Sequence, residues 1–300
     1  MAIDGAGQVL TMVHSCLSVI SACAGTLSDD VRAEIAMSGT MEAMCGRFAV
    51  TTDPALLAEK IKAIDESTAA DAPSPTNSGP NYNVAPTTTV ATVVKRHGEP
   101  DDDATRRVRL MRWGLVPPWA KTADDGAPDT SGPLLINARS DKVTTSPAFR
   151  SSAKAKRCLV PMDGWYEWKG AKGSKTPYFM YAGDGEPLFM AGLWTTWRPK
   201  GAPKDSKPLL SCTIITTDAA GPLADIHDRM PLSISAADWD RWLDPDAPID
   251  EGLLRGHGDL DRVQIREVST LVNSVRNNGP ELIEPAEAHP GRDAEQAELF

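Results

Sequence analysis

From Cys45 onward the apolar residues come in short runs separated by polar or Gly/Pro-rich turns, and no run is long enough for a large helix. Nine of these runs are rich in β-branched and aromatic residues: TTTVATVVKR, RRVRLMRW, RCLVPM, WYEWK, PYFMYA, PLFMAGLWTTW, SCTIITTDA, PLSIS and REVS. The first two, joined by the polar HGEPDDDAT, predict an antiparallel pair. Helix signals are few. TDPALLAEKIKAI has Asp53 as N-cap and Pro54 at the first helical position. SAADWDRWL starts with Ser235 as N-cap, and Asp238 completes a capping-box pattern. Many strands and few, separated helices predict an α+β fold: a curved, largely antiparallel, barrel-like β-sheet core with a few peripheral helices.

The ends have a different character. Residues 1–43 contain one apolar run, VLTMVHSCLSVISACAG, which is shorter than a membrane span and interrupted by His14 and serines. ISAC resembles a lipoprotein cleavage box, but the preceding MAIDGAGQ lacks the Lys or Arg that an export signal needs. The expected organisation is an N-terminal extension over 1–43, flexible or absent from the active form, with a short helix from Ser28 as another reading. A domain over 44–286 follows, then a disordered polar tail over 287–300. DESTAADAPSPTNSGP, residues 65–80, reads as a loop. Five cysteines at 16, 23, 45, 158 and 212 form no disulfide framework, which fits a reducing, cytoplasmic setting without membrane attachment. Without CxxC or HxxxH spacing, neither a metal nor another cofactor is expected.

The net charge of −10 argues at first against nucleic acid, but its distribution is uneven. Residues 106–175 hold 14 Lys and Arg against 6 Asp and Glu, whereas the remainder holds 17 against 35. Four segments place polar groups in unusual company. DGWYEWKG sets Glu167 among Trp165, Tyr166 and Trp168; if buried there, a carboxyl gains a raised pKa and suits general acid–base work. ADIHDRMPLSIS carries His227, Asp228 and Arg229, and an imidazole moves protons near neutral pH. LLINARSDKV places Asn137 and Arg139 where an apolar strand would end, and MCGRF sets Cys45 beside Gly46 and Arg47. Each has a plain structural alternative: Glu167 facing water, His227 bonded in a turn, Asn137 capping one. Cys158 and Cys212 sit in apolar strands and read as core thiols.

Taken together, these segments resemble the SRAP family, the SOS-response-associated peptidase domain. The resemblance runs from Cys45 to about Pro285. It rests on MCGRF, YNVAPT, RWGLVPPWA, LINAR, CLVPMDGWYEW, IHDRMPL and VNSVRNNGPELIEP, in that order. It implies a protein that senses abasic sites in single-stranded DNA and crosslinks to them, nucleoid-associated when bound. In the family, the cysteine after the initiator methionine is the reactive residue. By the resemblance, Cys45, Asn137, Glu167 and His227 take the active-site positions, and Arg47, Arg139 and Arg229 match DNA-contacting arginines. Trp113, Pro118 and Trp119 are candidates to stack on or wedge between bases, with Arg112, Arg150 and Trp168 completing the expected DNA-binding set.

The chemistry agrees. An opened abasic sugar is an aldehyde, and a terminal cysteine offers an amine and a thiol that together close a five-membered thiazolidine. Glu167 would shuttle protons, His227 would serve the sugar oxygen or the imine, and Asn137 would orient the reacting groups. This chain departs from the pattern, because 44 residues precede Cys45. Translation from Met44 followed by methionine removal would expose the amine. Self-removal of the first 44 residues would do the same. The alternative readings are a cysteine peptidase or autopeptidase built from Cys45, His227 and Glu167 or Asn137, and a non-catalytic single-stranded DNA-binding module. A lyase activity stays open as an addition to the first reading.

Overall fold

A computed structural model describes residues 45–286, apart from 70, 71, 73–78, 100, 172 and 204. The expectations for residues 1–43 and for the tail 287–300 lie outside the described residues, as does part of the loop 65–80.

Among the described residues, two sheets make the fold. The larger is built on β4 (Thr89–Arg96), β5 (Thr105–Trp113), β7 (Arg157–Met162), β10 (Leu188–Trp197) and β11 (Leu209–Asp218), with the two-residue β2 (Ile64–Asp65) parallel to β5. β4 and β5 pair antiparallel along their length, from Thr89↔Arg112 to Arg96↔Thr105, as the sequence predicts. Val93 of β4 faces Leu159 of β7, β7 pairs with β10, and β10 with β11. A short parallel pairing of β11 with β5, Ser211↔Arg112 and Cys212↔Trp113, closes the circuit. Closure explains the expected barrel-like curvature, because a twisted sheet that meets its own edge leaves no long row of unpaired groups. The smaller sheet is antiparallel, in the order β13 (Val263–Glu267), β9 (Thr176–Ala182), β8 (Gly164–Lys169), β1 (Arg47–Val50), β3 (Asn81–Val84).

The period-2 pattern sorts side chains between two cores. Met111, Trp113, Val160, Met190 and Ile214 of the larger sheet pack with Phe48, Trp165 and Met180 of the smaller one. Val93, Val108, Leu159 and Leu193 point the other way, beneath the helices α1 (Pro54–Lys60), α2 (Arg150–Ala155), α3 (Trp239–Leu243) and α4 (Glu251–Arg255). Cys158 and Cys212 are core thiols, fully buried. Gly164, which opens the strand carrying Glu167, is required by contact. A Cβ there would lie 2.2 Å from the Met180 carbonyl oxygen and 2.5 Å from the Phe179 ring.

Two local expectations change and one holds. Asp53 caps α1 as read, accepting from the N–H of Ala55 and Leu56. Ser235 caps nothing; its hydroxyl donates to the Asp238 carboxylate at 3.0 Å, because the chain begins there as a 3-10 turn, Ala236–Asp238. The strand expected at PLSIS is instead β12 (Arg229–Pro231), three residues long, opposite the last three residues of β11. α2 and α4, each under two turns, carry too little periodicity to be read from sequence.

Candidate active site

β11 is the strand that assembles the charged half of the site. Its first part is flanked by β5 and β10, and its last part by β6 (Asn137–Arg139) and β12. Thr216 therefore faces Arg139 on one edge and Pro231 on the other, while Asp218 faces Arg229. Segments far apart in sequence, LINAR and HDRMP, thus meet across one strand.

The other half is on the smaller sheet. β1 pairs with β8, Arg47↔Tyr166, so Cys45, which precedes β1, lies beside the end of β8. Alternation along β8 turns Trp165 and Glu167 inward and Tyr166 and Trp168 to the opposite face. Glu167 is therefore buried, 4% exposed, and does not face water. Cys45 is 3% exposed, and its thiol donates to Glu167 Oε1. The main-chain N–H of Cys45 also bonds the Glu167 carboxylate. One carboxyl thus touches both heteroatoms of Cys45. Burial raises Glu167 to about 8, even though the thiol and N–H of Cys45 and the charge of Lys175 favour its ionised form. The Cys45 thiol is held well above its ordinary range, first by burial and then by the Glu167 charge, with Arg229 opposing. At neutral pH the sulfur keeps its proton and the carboxyl titrates close by. Cys45 also has φ 47°, left-handed backbone that a non-glycine residue adopts only when its surroundings hold it there.

His227 is partly buried, its side chain 20% exposed. Its Nδ1 accepts from the Arg229 main-chain N–H at 3.0 Å and lies 2.8 Å from Asp228 Oδ1. Arg229 is buried, donates to the Thr216 carbonyl and hydroxyl oxygens, and pairs with the exposed Asp218. Arg139 is exposed and forks onto Asp141 at 3.0 and 3.2 Å. Asn137 lies on β6 opposite Ile214. Asp228 acts electrostatically on Cys45, Glu167 and Arg139, which ties the two halves together.

Among the residues expected to meet DNA, Trp119 is exposed at 59%. Arg150 is exposed on α2, lining a groove with Lys154, Asp246 and Ile249. Trp168 is partly buried, its indole N–H donating to Asn273 Oδ1 at 2.7 Å. Arg112 is partly buried and donates to the Gly114 carbonyl. Two residues are placed otherwise than read. Trp113 is wholly buried, edge-on to Phe48 with its N–H on the Ile136 carbonyl, so it offers bases no face. Arg47 is 4% exposed and donates to Asn83 Oδ1 at 2.8 Å and to the carbonyls of Val272 and Asn273. Its guanidinium ties the strand behind Cys45 to the segment 272–277, which Asn83 also grips through the carbonyls of Val272, Ser274 and Asn277. The sequence signal for this clasp was present in YNVAPT and VNSVRNNGP, two blocks rich in asparagine. The sequence marks out Asp228 without a role and does not mark out Asp218, although HDR sets an acid directly beside the imidazole.

Fold and site define a β-rich protein with a buried thiol–carboxyl pair beside an arginine-lined edge. Residues 44–275 match the family SOS response associated peptidase (SRAP), and the chain belongs to that family. Its relatives include the abasic site processing protein YoqW of Bacillus subtilis (strain 168). The two are 38% identical over 210 residues, covering 68% of this chain and 86% of YoqW. The abasic site processing protein HMCES of Gallus gallus is 34% identical over 272 residues, covering 81% of this chain and 78% of HMCES. Among solved structures, a protein from Bacteroides thetaiotaomicron shares the fold with a TM-score of 0.64 at 23% identity, covering 81% of this chain and all of that one. A phage-related protein from Bordetella bronchiseptica reaches 0.51 at 28% identity, covering 75% of this chain and 94% of its own.

Proposed function

We propose that this chain processes abasic sites in single-stranded DNA, forming a covalent adduct through Cys45 once the residues before it are gone. One observation carries the reading: a single buried carboxyl, Glu167, contacts both the nitrogen and the sulfur of Cys45. Those two atoms are the ones a thiazolidine needs. The free amine would add to the sugar aldehyde and lose water as the imine forms. The sulfur would then add to the imine carbon, its proton passing to the imine nitrogen. A carboxyl that titrates at about 8 can accept and return protons through both steps near neutral pH. His227 would move a proton at the sugar, Asn137 would orient it, and Arg139 and Arg229 would take the flanking phosphates. The names of the relatives, abasic site processing proteins, favour this reading.

A peptidase built on Cys45 and His227 would want an imidazole against the sulfur to make a thiolate. The sulfur's hydrogen-bond partner here is a carboxyl, which favours the adduct-forming reading.

The test compares the full chain with one translated from Met44, each incubated with an abasic oligonucleotide and then denatured. The shorter chain, trimmed to Cys45, should give a shifted band. The full chain should bind DNA without one, since an amide nitrogen, its lone pair delocalised into the carbonyl, does not condense with an aldehyde. A comparable band from a full chain confirmed intact by mass would overturn the mechanism. A band growing in step with loss of residues 1–44 would identify self-removal as the first step.

A further inference from the structure

His227 Nδ1 has two neighbours that ask opposite things of it. The main-chain N–H of Arg229, 3.0 Å away, can only donate, so it needs a lone pair on Nδ1. The Asp228 carboxylate, 2.8 Å away, can only accept, so it needs a proton there. A neutral ring satisfies one at a time. With the lone pair on Nδ1, the proton sits on Nε2, and that nitrogen can only donate to a substrate. With the proton on Nδ1, Nε2 has the lone pair and can take a proton. The partners also differ in mobility. The Arg229 N–H is fixed, because its residue is buried and begins β12 opposite Asp218. The Asp228 side chain is 83% exposed and can swing aside at little cost.

We propose that Asp228 is a positioning residue that sets which nitrogen of His227 carries the proton, turning Nε2 into a proton acceptor when its carboxylate is docked. The proposal rests on the reading above, in which His227 serves the abasic sugar, and it adds how the imidazole is made competent. Nε2 is the only ring nitrogen not engaged by its own segment, so the choice made at Nδ1 decides what the substrate meets. The surrounding charges act on Asp228 as well as on the ring. Arg139 of β6 bonds Asp141 first and feels the charges of Asp218 and Asp228 more weakly. Arg229 is neutralised by Asp218. Cys45 and Glu167 both sense the Asp228 charge.

The experiment uses the chain beginning at Cys45, with nitrogen-15 histidine and a His227→Gln sample to assign the signal. At alkaline pH the wild-type ring should show its proton on Nδ1. Asp228→Asn should move it to Nε2, and Asp228→Glu should restore much of the wild-type pattern. Adduct formation with an abasic oligonucleotide should slow by about tenfold in Asp228→Asn, less than the roughly hundredfold or more that loss of a general acid–base group costs, and recover in Asp228→Glu. DNA affinity should change by less than about twofold, since no positive charge is lost. Asp228→Ala, which leaves only the Arg229 N–H at Nδ1, should behave as Asp228→Asn does. A nitrogen pattern indifferent to residue 228 would overturn the proposal, and so would a moved proton with an unchanged rate. If the wild-type chain forms no adduct at all, the reaction reading fails, while the nitrogen pattern still decides what Asp228 does.

Discussion

The two halves of the site are built on opposite principles. On the smaller sheet, Cys45 and Glu167 are at most 4% exposed, and Arg47 behind them spends its guanidinium on protein acceptors. On the edge of the larger sheet, Arg139 lies open and forks onto exposed Asp141, and the buried Arg229 reaches out to Asp218, itself 87% exposed. Desolvation has perturbed the dry half strongly, raising both the thiol and the carboxyl. The wet half instead has charges in reach of salt and of a polyanion. Under the proposed reading, the difference would separate the tasks: bond-making where water is excluded, attraction where water and ions exchange.

The largest expected effect is in the dry half. Cys45→Ser in a chain beginning at residue 45 should abolish the heat- and detergent-stable adduct, because a hydroxyl does not close the sulfur ring. A surviving stable adduct, read by denaturing gel, would refute the thiazolidine. Glu167→Gln should slow adduct formation by roughly a hundredfold, the lower end of what general acid–base groups contribute, while leaving DNA affinity within about a factor of two. The same carboxyl predicts a pH effect on folding. Its folded-state value of about 8 is above its ordinary value of 4.5, so the folded chain holds a proton that the unfolded chain has released. Stability from this group is complete below about pH 4.5, falls as pH rises toward about 8, and levels off above. Thermal unfolding at pH 5 and pH 8 should therefore differ less in Glu167→Gln than in the wild type. An equal or larger difference would mean that Glu167 does not titrate as a buried acid.

Two arginines of the same resemblance sharpen the contrast further. Arg47→Ala removes the donor to Asn83 Oδ1, to the buried Val272 carbonyl and to the partly buried Asn273 carbonyl, and should destabilise the fold by roughly 2–4 kcal/mol in urea unfolding. Arg139→Ala should leave stability unchanged and lower the slope of log affinity against log salt by about 0.7, the value of one phosphate contact on a single strand. If Arg47→Ala instead kept full stability and lost a salt-dependent contact, Arg47 would belong with the DNA-facing set.

How much of this was legible beforehand follows from what each feature depends on. The β4–β5 pair was readable because eight residues of TVATVVKR face their partners through one polar loop, and the α1 cap because Asp53-Pro54 is local chemistry. Closure of the larger sheet was not spelled out, since it hangs on two residue pairs of β11 and β5 separated by about a hundred positions. Glu167 was readable as a candidate from its aromatic neighbours, but its contact with Cys45 spans 122 positions and depends on the register of β1 against β8. Burial was the hardest to read. RWG sets a tryptophan beside an arginine and GRF sets an arginine between glycine and phenylalanine; only the tertiary packing reveals that Trp113 is buried between the sheets and Arg47 beneath the segment 272–277 on the smaller sheet's other face.

The smallest effect predicted lies in the wet half and concerns an acid. Arg229 donates to the Thr216 carbonyl and hydroxyl, which hold its guanidinium in place whatever stands outside. Asp218 adds a carboxylate on the solvent side and cancels the positive charge that an approaching phosphate would meet. Asp218→Asn keeps the side chain's size and an acceptor oxygen for Arg229 but removes that charge. Because Asp218 is solvent-exposed and Arg229 keeps its Thr216 acceptors, stability should stay within about 0.5 kcal/mol. Affinity for single-stranded DNA should rise by roughly two- to fourfold at low salt, and the gain should fade by about 0.3 M salt as screening shortens the reach of the arginine. Titration by fluorescence anisotropy at two salt concentrations checks both parts. Weaker binding at low salt would reverse the assignment: Asp218 would then matter for aiming the guanidinium rather than for masking it, and the wet half would depend on fixed geometry as much as the dry half does.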